Sequence, residues 1–275
     1  MSTSIPHLLE PYLSLPEETS LIVLSSILGA STNWLLARYI HSYLKSPTND
    51  DNEPEVAVLL VSFLRDYTFF QQTLSKLSLD LDSEARKGRF GFVDGLSGLY
   101  ISPPPAAAAP AGRGPPPTLQ NGNDLQGVQK QIETAIAALS TEKKKQRVVL
   151  VLDQPDFLVG STASAEGAAM AVRDVILDLR EKVHSCVVTV SADDPLIHPS
   201  SSTPTPLETN HSWFVLSLLH EADTLCALRL LDTGTARDVS GVVRITNSRE
   251  SKREDKEYLY KVGGHGGVKV FERGQ

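Results

Sequence analysis

The sequence has few of the residues that mark disulfide-rich, metal-binding or membrane proteins. Only two cysteines occur among 275 residues, Cys186 and Cys226, and both lie in apolar runs. That setting predicts small core residues in a reducing compartment. The seven histidines show no metal-ligand spacing, so we expect no metal site. No apolar stretch approaches the roughly 20 residues of a membrane helix.

The first residues and the net charge of the chain argue against two further classes, secreted proteins and proteins that are basic throughout. The first 20 residues lack the charged start and apolar middle of a signal peptide, which predicts an intracellular soluble protein. The formal net charge of −7 argues against a protein that is basic throughout, although a local basic patch is compatible with it. A hydrophobic content of 41% predicts a substantial core.

Buried strands alternate with amphipathic helices along most of the chain. Short apolar runs predict strands at residues 21–24, 56–63, 89–94, 147–153 and 186–190. Apolar residues at helical spacing predict helices at 34–45, from 66 to about 77, at 125–143, 165–183 and 211–222. This alternation predicts a mostly parallel sheet flanked by helices.

After the last helix the strands become shorter and are joined by turns. They are predicted at 224–231, 240–246, 257–262 and 267–272. Such a series favours an antiparallel extension of the same sheet, and hence one domain over residues 1–275.

Three polar or proline-rich stretches predict flexible loops. Residues 46–55 are acidic and polar, residues 102–124 carry seven prolines and five alanines, and residues 197–209 are rich in serine, threonine and proline. These compositions offer little to bury. We expect the 102–124 loop to be disordered and dispensable for assembly.

A turn of small residues connects the first strand to the first helix, where a phosphate-binding loop would lie. Such a loop needs glycines, a lysine for the terminal phosphates and a hydroxyl for the metal. When Gly29, Ala30 and Ser31 are aligned with its final Gly-Lys-Ser/Thr, Ala30 replaces the lysine. The helix N-terminus can still attract an anion weakly. We therefore expect no nucleotide cofactor to be held by this loop alone.

An acid ends the apolar strand at residues 147–153. Asp153 lies at the carboxyl end of the strand, where open α/β sheets bind ligands. In nucleotide-binding ATPases such an aspartate orients the water shell of Mg²⁺. The alternative is that Asp153 caps the turn formed by Gln154, Pro155 and Asp156.

Five segments together resemble a known family. They are residues 60–66, 87–98, 149–156, 233–246 and 257–260. From about residue 20 to its end, the chain resembles the fungal form of the sixth-subunit family of the Elongator complex. The resemblance implies a RecA-like ATPase fold without a functional Walker A motif.

The same resemblance implies partners and a location. The paralogous fourth, fifth and sixth subunits, two copies of each, would form a hetero-hexameric ring that binds tRNA. That ring would work with the larger catalytic Elongator subcomplex, which modifies the wobble uridine at C5. The implied location is the cytoplasm, with the nucleus as a second compartment.

The end of the second strand bears on catalysis. In RecA-like ATPases of the circadian-clock and recombinase type, this strand ends in Ser/Thr-Phe-Glu-Glu, whose acids activate the attacking water. Ser62 and Phe63 are kept here, but Leu64 and Arg65 stand in place of the acids. The losses at Ala30 and Leu64 predict a non-catalytic subunit. The alternatives are a nucleotide-binding ATPase with a degenerate phosphate loop and a free-standing scaffold.

Two groups of charged residues are candidates for contacts with partners. Arg65 and Asp66 follow the second strand and are predicted to lie at a subunit interface. The alternative is an intrachain pair that caps the helix beginning near Asp66. Arg229, Arg237 and Arg244, on or between the late strands, are candidates for tRNA contact, although exposed strands show the same alternation without a function.

Overall fold

The computed structural model describes most of the chain, with gaps in the connecting segments. The described residues are 5–45, 54–100, 117–119, 124–140, 146–161, 167–198, 203–231, 236, 238–248, 254–264 and 266–273. The strands are β1 (Ser20–Ser26), β2 (Val56–Ser62), β3 (Phe90–Asp94), β4 (Arg147–Asp153), β5 (Ser185–Ser191), β6 (Thr224–Arg229), β7 (Gly241–Asn247), β8 (Lys256–Val262) and β9 (Val268–Phe271).

Helices connect these strands. After a 3-10 turn at His7–Leu9 they are α1 (Glu10–Leu13), α2 (Asn33–Lys45), α3 (Tyr67–Ser75), α4 (Leu81–Arg86), α5 (Ser97–Tyr100), α6 (Leu125–Leu139), α7 (Asp156–Ser161), α8 (Ala168–Arg180), α9 (Asp194–Ile197) and α10 (Pro206–Glu221). In the described part of the chain, no helix is long and apolar enough to cross a membrane.

The nine strands of the described residues belong to one sheet, in the order β3-β2-β4-β5-β1-β6-β7-β8-β9. The pairs from β3 to β6 are parallel, and those from β6 to β9 are antiparallel. The predicted fold class, a mostly parallel sheet with an antiparallel C-terminal extension, is confirmed.

Burial explains the two halves of the sheet. Every residue of β2 is buried, because one apolar layer with α2, α3 and α4 covers one face and another with α6, α8 and α10 covers the other. In β8 only Tyr258 and Tyr260 are buried, and they point to the face that α2 covers. The ring of Trp34 lies 4.9 Å from that of Tyr260.

Several local predictions were wrong in their boundaries. The helix after β2 is two helices, because Ser78 takes a φ of 60° and Asp80 then caps α4. The short helix α7 begins at Asp156, the last residue of the stretch that was interpreted as a turn. Helix α10 begins at Pro206, inside the predicted 197–209 loop, because Thr205 and Glu208 form a capping box.

The proline-rich stretch also contains ordered residues. Thr118 forms a β-bridge with Asp94, whose N–H donates to the carbonyl of Pro117, and the side chain of Leu119 is fully buried. The prediction that all of 102–124 is disordered is therefore wrong at 117–119. The remainder, at 102–116 and 120–123, and most of the predicted 46–55 loop lie outside the described residues.

Candidate functional site at the carboxyl edge of the sheet

The carboxylate of Asp153 is the centre of a polar cluster at the ends of β2, β4 and β5. Its side chain is 0% exposed. The hydroxyl of Ser62 donates to Oδ2 at 2.8 Å, and that of Thr189 donates to Oδ1 at 3.0 Å. Parallel pairing aligns these three residues, since Asp153 lies in register with both Ser62 and Thr189. The prediction that Asp153 caps the following turn is wrong, because its oxygens face the neighbouring strands.

Arg65 supplies the positive charge that this buried carboxylate requires. Its Nη1 lies 2.9 Å from each oxygen of Asp153, and its side chain is 17% exposed. The guanidinium also lies over the ring of Phe69, 5.2 Å from the centroid. An isolated buried charge would be unfavourable, so the pair is mutually dependent. The aspartate expected to orient a metal's water shell is therefore neutralised within the chain.

The loop between β1 and α2 has an apolar tip. Ala30 donates its N–H to the carbonyl of Ile27 in a tight turn, and Gly29 has a φ of 89°. Leu28, at the tip, is 86% exposed, and its N–H donates to Oδ1 of Asp193 at 2.6 Å. One backbone N–H group at the position of a phosphate-binding loop therefore donates to a carboxylate. The negative charge of that carboxylate would repel a phosphate.

Of the other predicted site residues, Ser31 and Asp66 have local roles. The hydroxyl of Ser31 accepts from the N–H of Asn33 at 3.2 Å. Asp66 is the N-cap of α3, and its carboxylate accepts from the N–H of Phe69 at 2.9 Å. The capping interpretation of Asp66 is thus confirmed, but Arg65 pairs with Asp153 in place of Asp66. Leu64, at the position of the expected acid, is half-buried.

The tRNA-contact candidates lie elsewhere, on β6 and β7. Arg229 bonds Glu257 on β8 at 3.1 Å, and Arg244 is exposed directly opposite Glu257. Arg237 lies outside the described residues.

Sequence reasoning missed a second site, beside the Asp153 cluster. Asp156, in the first turn of α7, and His211, on α10, are both buried. Burial raises the pKa of Asp156 to about 6, and the nearby His211 and hydrogen bonds from Ser191 act in the opposite direction. The sequence signal was the turn Pro155-Asp156, which starts a helix. Among the described residues, no cluster of histidine, cysteine and carboxylate side chains could hold a metal ion.

This architecture is the RecA-like fold that the resemblance implies. A KaiC-like protein from the hyperthermophilic archaeon Pyrococcus horikoshii OT3 superposes with a TM-score of 0.57 over 98% of this chain and 97% of its own, at 15% identity. At that identity the similarity shows the fold alone.

The family follows from the sequence match. Residues 7–263 match the family described as Elongation complex protein 6, and the chain belongs to that family. The resemblance stated from the sequence is thereby confirmed. No curated protein matches the chain.

Proposed function

We propose that this chain is a non-catalytic subunit of the Elongator accessory ring. In that ring it assembles with the paralogous fourth and fifth subunits as a hetero-hexamer, binds tRNA and supports C5 modification of the wobble uridine by the larger catalytic subcomplex. The family match and the RecA-like fold support this proposal.

The ion pair between Arg65 and Asp153 is the observation that carries the non-catalytic part. A phosphoryl-transfer site needs a metal whose charge is held near the phosphates and a group that positions water. Here a guanidinium lies 2.9 Å from both oxygens of the strand-end acid. The lysine and acid positions are filled by the apolar Ala30 and Leu64. These three features together favour a non-catalytic chain.

The isolated chain is expected to neither bind nor hydrolyse ATP at a measurable rate. Equilibrium binding of labelled ATP with Mg²⁺, and release of phosphate by the pure chain, test this expectation. The matched control is Ser31→Ala, which removes the one retained hydroxyl of the phosphate loop. Turnover by the pure chain that Ser31→Ala abolishes would establish the alternative, an ATPase with a degenerate loop. Hydrolysis by the whole ring would not, because a paralogue can supply a complete site.

For tRNA contact, we propose the face of the antiparallel strands that bears Arg229 and Arg244. We call this the basic face, and its charged residues in the described part of the chain are Arg229, Arg244, Glu257, Lys261, Lys269 and Arg273. The helices α6 and α10 on this side contact β1 to β4. Glu257 accepts from Arg229 at 3.1 Å and pairs with Arg273 at 2.7 Å. Among the described residues, five cations and one acid therefore share this face.

Two cations of the basic face lie side by side. Lys261 and Lys269 are directly opposite in the register of β8 and β9. A phosphate of an RNA backbone would be attracted by such a pair, and the affinity of the RNA would fall with salt.

Binding of labelled tRNA by the ring tests this face. Arg244→Glu is expected to weaken tRNA binding about tenfold and to reduce its salt dependence. The control is Lys130→Glu, because Lys130 is exposed on α6, over the parallel half of the sheet. Equal affinities for the two variants would remove the basic face from the RNA contact. If the unmodified chain is retained on tRNA without its paralogues, the ring requirement is wrong.

A further inference from the structure

A pocket of about 430 Å³ opens between α7, the end of β5, α9 and α10. Its apolar walls are Phe157, Leu196 and Leu207, with Gly160 between them. Its polar groups are Asp156, Ser161, Ser191 and His211. Two of its exposed residues are apolar, since Phe157 is 41% and Leu207 is 45% exposed.

The carboxylate of Asp156 is incompletely satisfied within this pocket. Asp156 is 6% exposed, and its Oδ2 accepts from the N–H of Ser191 at 3.3 Å. Its Oδ1 is buried and has no hydrogen-bond partner among the described residues. A buried acceptor without a donor is unfavourable by roughly 1 to 3 kcal/mol, and more when it is charged. The site therefore favours a ligand that brings a donor or a positive charge.

His211 does not supply that donor. Its Nε2 bonds the carbonyl of Ser191 at 2.9 Å, which fixes this nitrogen as the proton-bearing one. The ring acts on Asp156 through space only.

The walls define the rest of the ligand. A cation that reaches a buried carboxylate between a phenylalanine and two leucines must carry an apolar stem. The side chains of lysine and arginine combine a cation with an apolar stem, because their methylene groups pack on apolar surface while the charged end makes the polar contact. The exposed ring of Phe157 can also attract a cation.

The surroundings of the pocket point to a protein as the source of that side chain. Asp193, two residues beyond Ser191, binds the tip of the β1–α2 loop through the N–H of Leu28. Leu28 is the most exposed large apolar residue of the described chain, and Leu230 packs on the same loop at Gly29. An apolar rim next to a charged pocket is typical of a protein–protein contact.

We propose that this pocket receives a lysine or arginine side chain from a neighbouring protein subunit, with Asp156 as its acceptor. The identity of that neighbour, the paralogous fourth or fifth subunit, rests on the proposed function above. The recognition itself depends only on the geometry of α7, β5 and α10.

Assembly with the two paralogues tests the docking step. The fraction of the chain in the hetero-oligomer is measured by native mass over a dilution series. Asp156→Asn keeps the shape and an acceptor oxygen but removes the charge, and it is expected to weaken assembly at least about tenfold. The matched control is Asp178→Asn, at an exposed aspartate on α8. Assembly of Asp156→Asn at the wild-type concentration would overturn the proposal.

Filling the pocket with a larger side chain is a second test of the proposal. A Cβ at Gly160 would meet only Leu207 Cδ1, at 4.0 Å, so Gly160→Ala is accommodated. Gly160→Leu would extend its side chain into the pocket, and leucine is a better helix former than glycine. Gly160→Leu is expected to weaken assembly as Asp156→Asn does, while Gly160→Ala assembles normally. Normal assembly of a folded Gly160→Leu chain would also overturn the proposal.

A probe of the free chain separates this proposal from that of the ring. n-Butylguanidinium carries a cation on an apolar stem, and n-butylurea is its neutral counterpart. We expect the first, at millimolar concentration, to shift the ring resonances of His211 in the wild type and not in Asp156→Asn, and the second to have no effect. Equal shifts with both compounds, or none with either, would contradict a cation site. If the wild-type chain binds the cation but does not assemble with the paralogues, the ring proposal fails and the site must serve another protein.

Discussion

At the scale of single residues, Arg65 and Asp153 are the clearest case of mutual dependence. Both oxygens of a fully buried carboxylate are 2.9 Å from one guanidinium nitrogen. We expect Arg65→Met to lower the free energy of unfolding by about 3 to 5 kcal/mol, because an unpaired charge remains buried. Urea denaturation at pH 7 measures this loss.

A second substitution serves as the control for that prediction. Asp153→Asn in the Arg65→Met background removes the unpaired charge and should recover part of the stability. A loss below about 1 kcal/mol for Arg65→Met alone would mean that the pair is solvated in solution. Arg65→Glu would place a second carboxylate against Asp153. A failure of that variant to assemble would therefore not by itself identify a subunit interface.

Asp156 gives a stability difference that depends on pH. Its pKa is about 6 in the folded chain, compared with an ordinary value of 3.8. Between these values the folded state binds more protons than the unfolded state, so this group lowers the free energy of unfolding as the pH rises from about 4 to 6. Asp156→Asn lacks that contribution. We expect this variant to match the wild type near pH 4 and to exceed it above pH 6 by roughly 1 to 3 kcal/mol.

Denaturation of the wild type and of Asp156→Asn at several pH values between 4 and 7.5 tests the sign of this stability difference. Asp178→Asn, at an exposed position, should show no such trend. A variant that is less stable than the wild type at pH 7 would mean that the ionised carboxylate is well satisfied in the folded monomer. Together with the assembly test, the predicted result is a more stable chain that docks less well, which a purely structural role would not produce.

At the scale of elements, the segment at residues 117–119 anchors the proline-rich loop to β3. The N–H of Leu119 donates to the carbonyl of Asp94, and its side chain is fully buried. We expect deletion of 103–112 to leave the melting temperature unchanged, because proline and alanine offer little to bury. Leu119→Ala should instead cost about 2 to 3 kcal/mol. Thermal and urea denaturation compare the two.

The result also decides whether the loop has a role in assembly. A deletion variant that is as stable as the wild type but fails to join its paralogues would make the loop an interface. That outcome would contradict the expectation that it is dispensable. Deletions that reach Pro117 do not test this point, since they also remove the partner of the Asp94 N–H.

At the scale of the whole molecule, the two kinds of strand share one sheet. Strand β6 pairs in parallel with β1 and in antiparallel with β7, so the C-terminal extension continues the hydrogen bonding of the parallel core. One apolar layer runs from α2 to Tyr258 and Tyr260 on β8. We expect a single cooperative transition in calorimetry, as proposed for one domain over residues 1–275. Two resolved transitions would show that the extension unfolds by itself.

The sequence by itself determined where the strands and the longer helices lie and how they alternate in the parallel core. Continuous apolar runs such as 56–62 and 147–153 suit strands between two apolar layers. Such a run can be recognised from consecutive residues alone. The family resemblance and the missing lysine at Ala30 were equally visible, because both depend on residue types in order along the chain.

Only the tertiary structure decided what the charged residues do. From the sequence, Asp153 could orient the water shell of a metal or cap a turn, and Arg65 could lie at a subunit interface or pair with Asp66. The contact between them joins residues 88 positions apart. Parallel strands bring their carboxyl ends to one edge, and this geometry, which no local pattern encodes, also placed Asp156 beside His211. The partner of a buried charge depends on burial and distance in three dimensions, whereas strands and helices follow from the periodicity of residues along the chain.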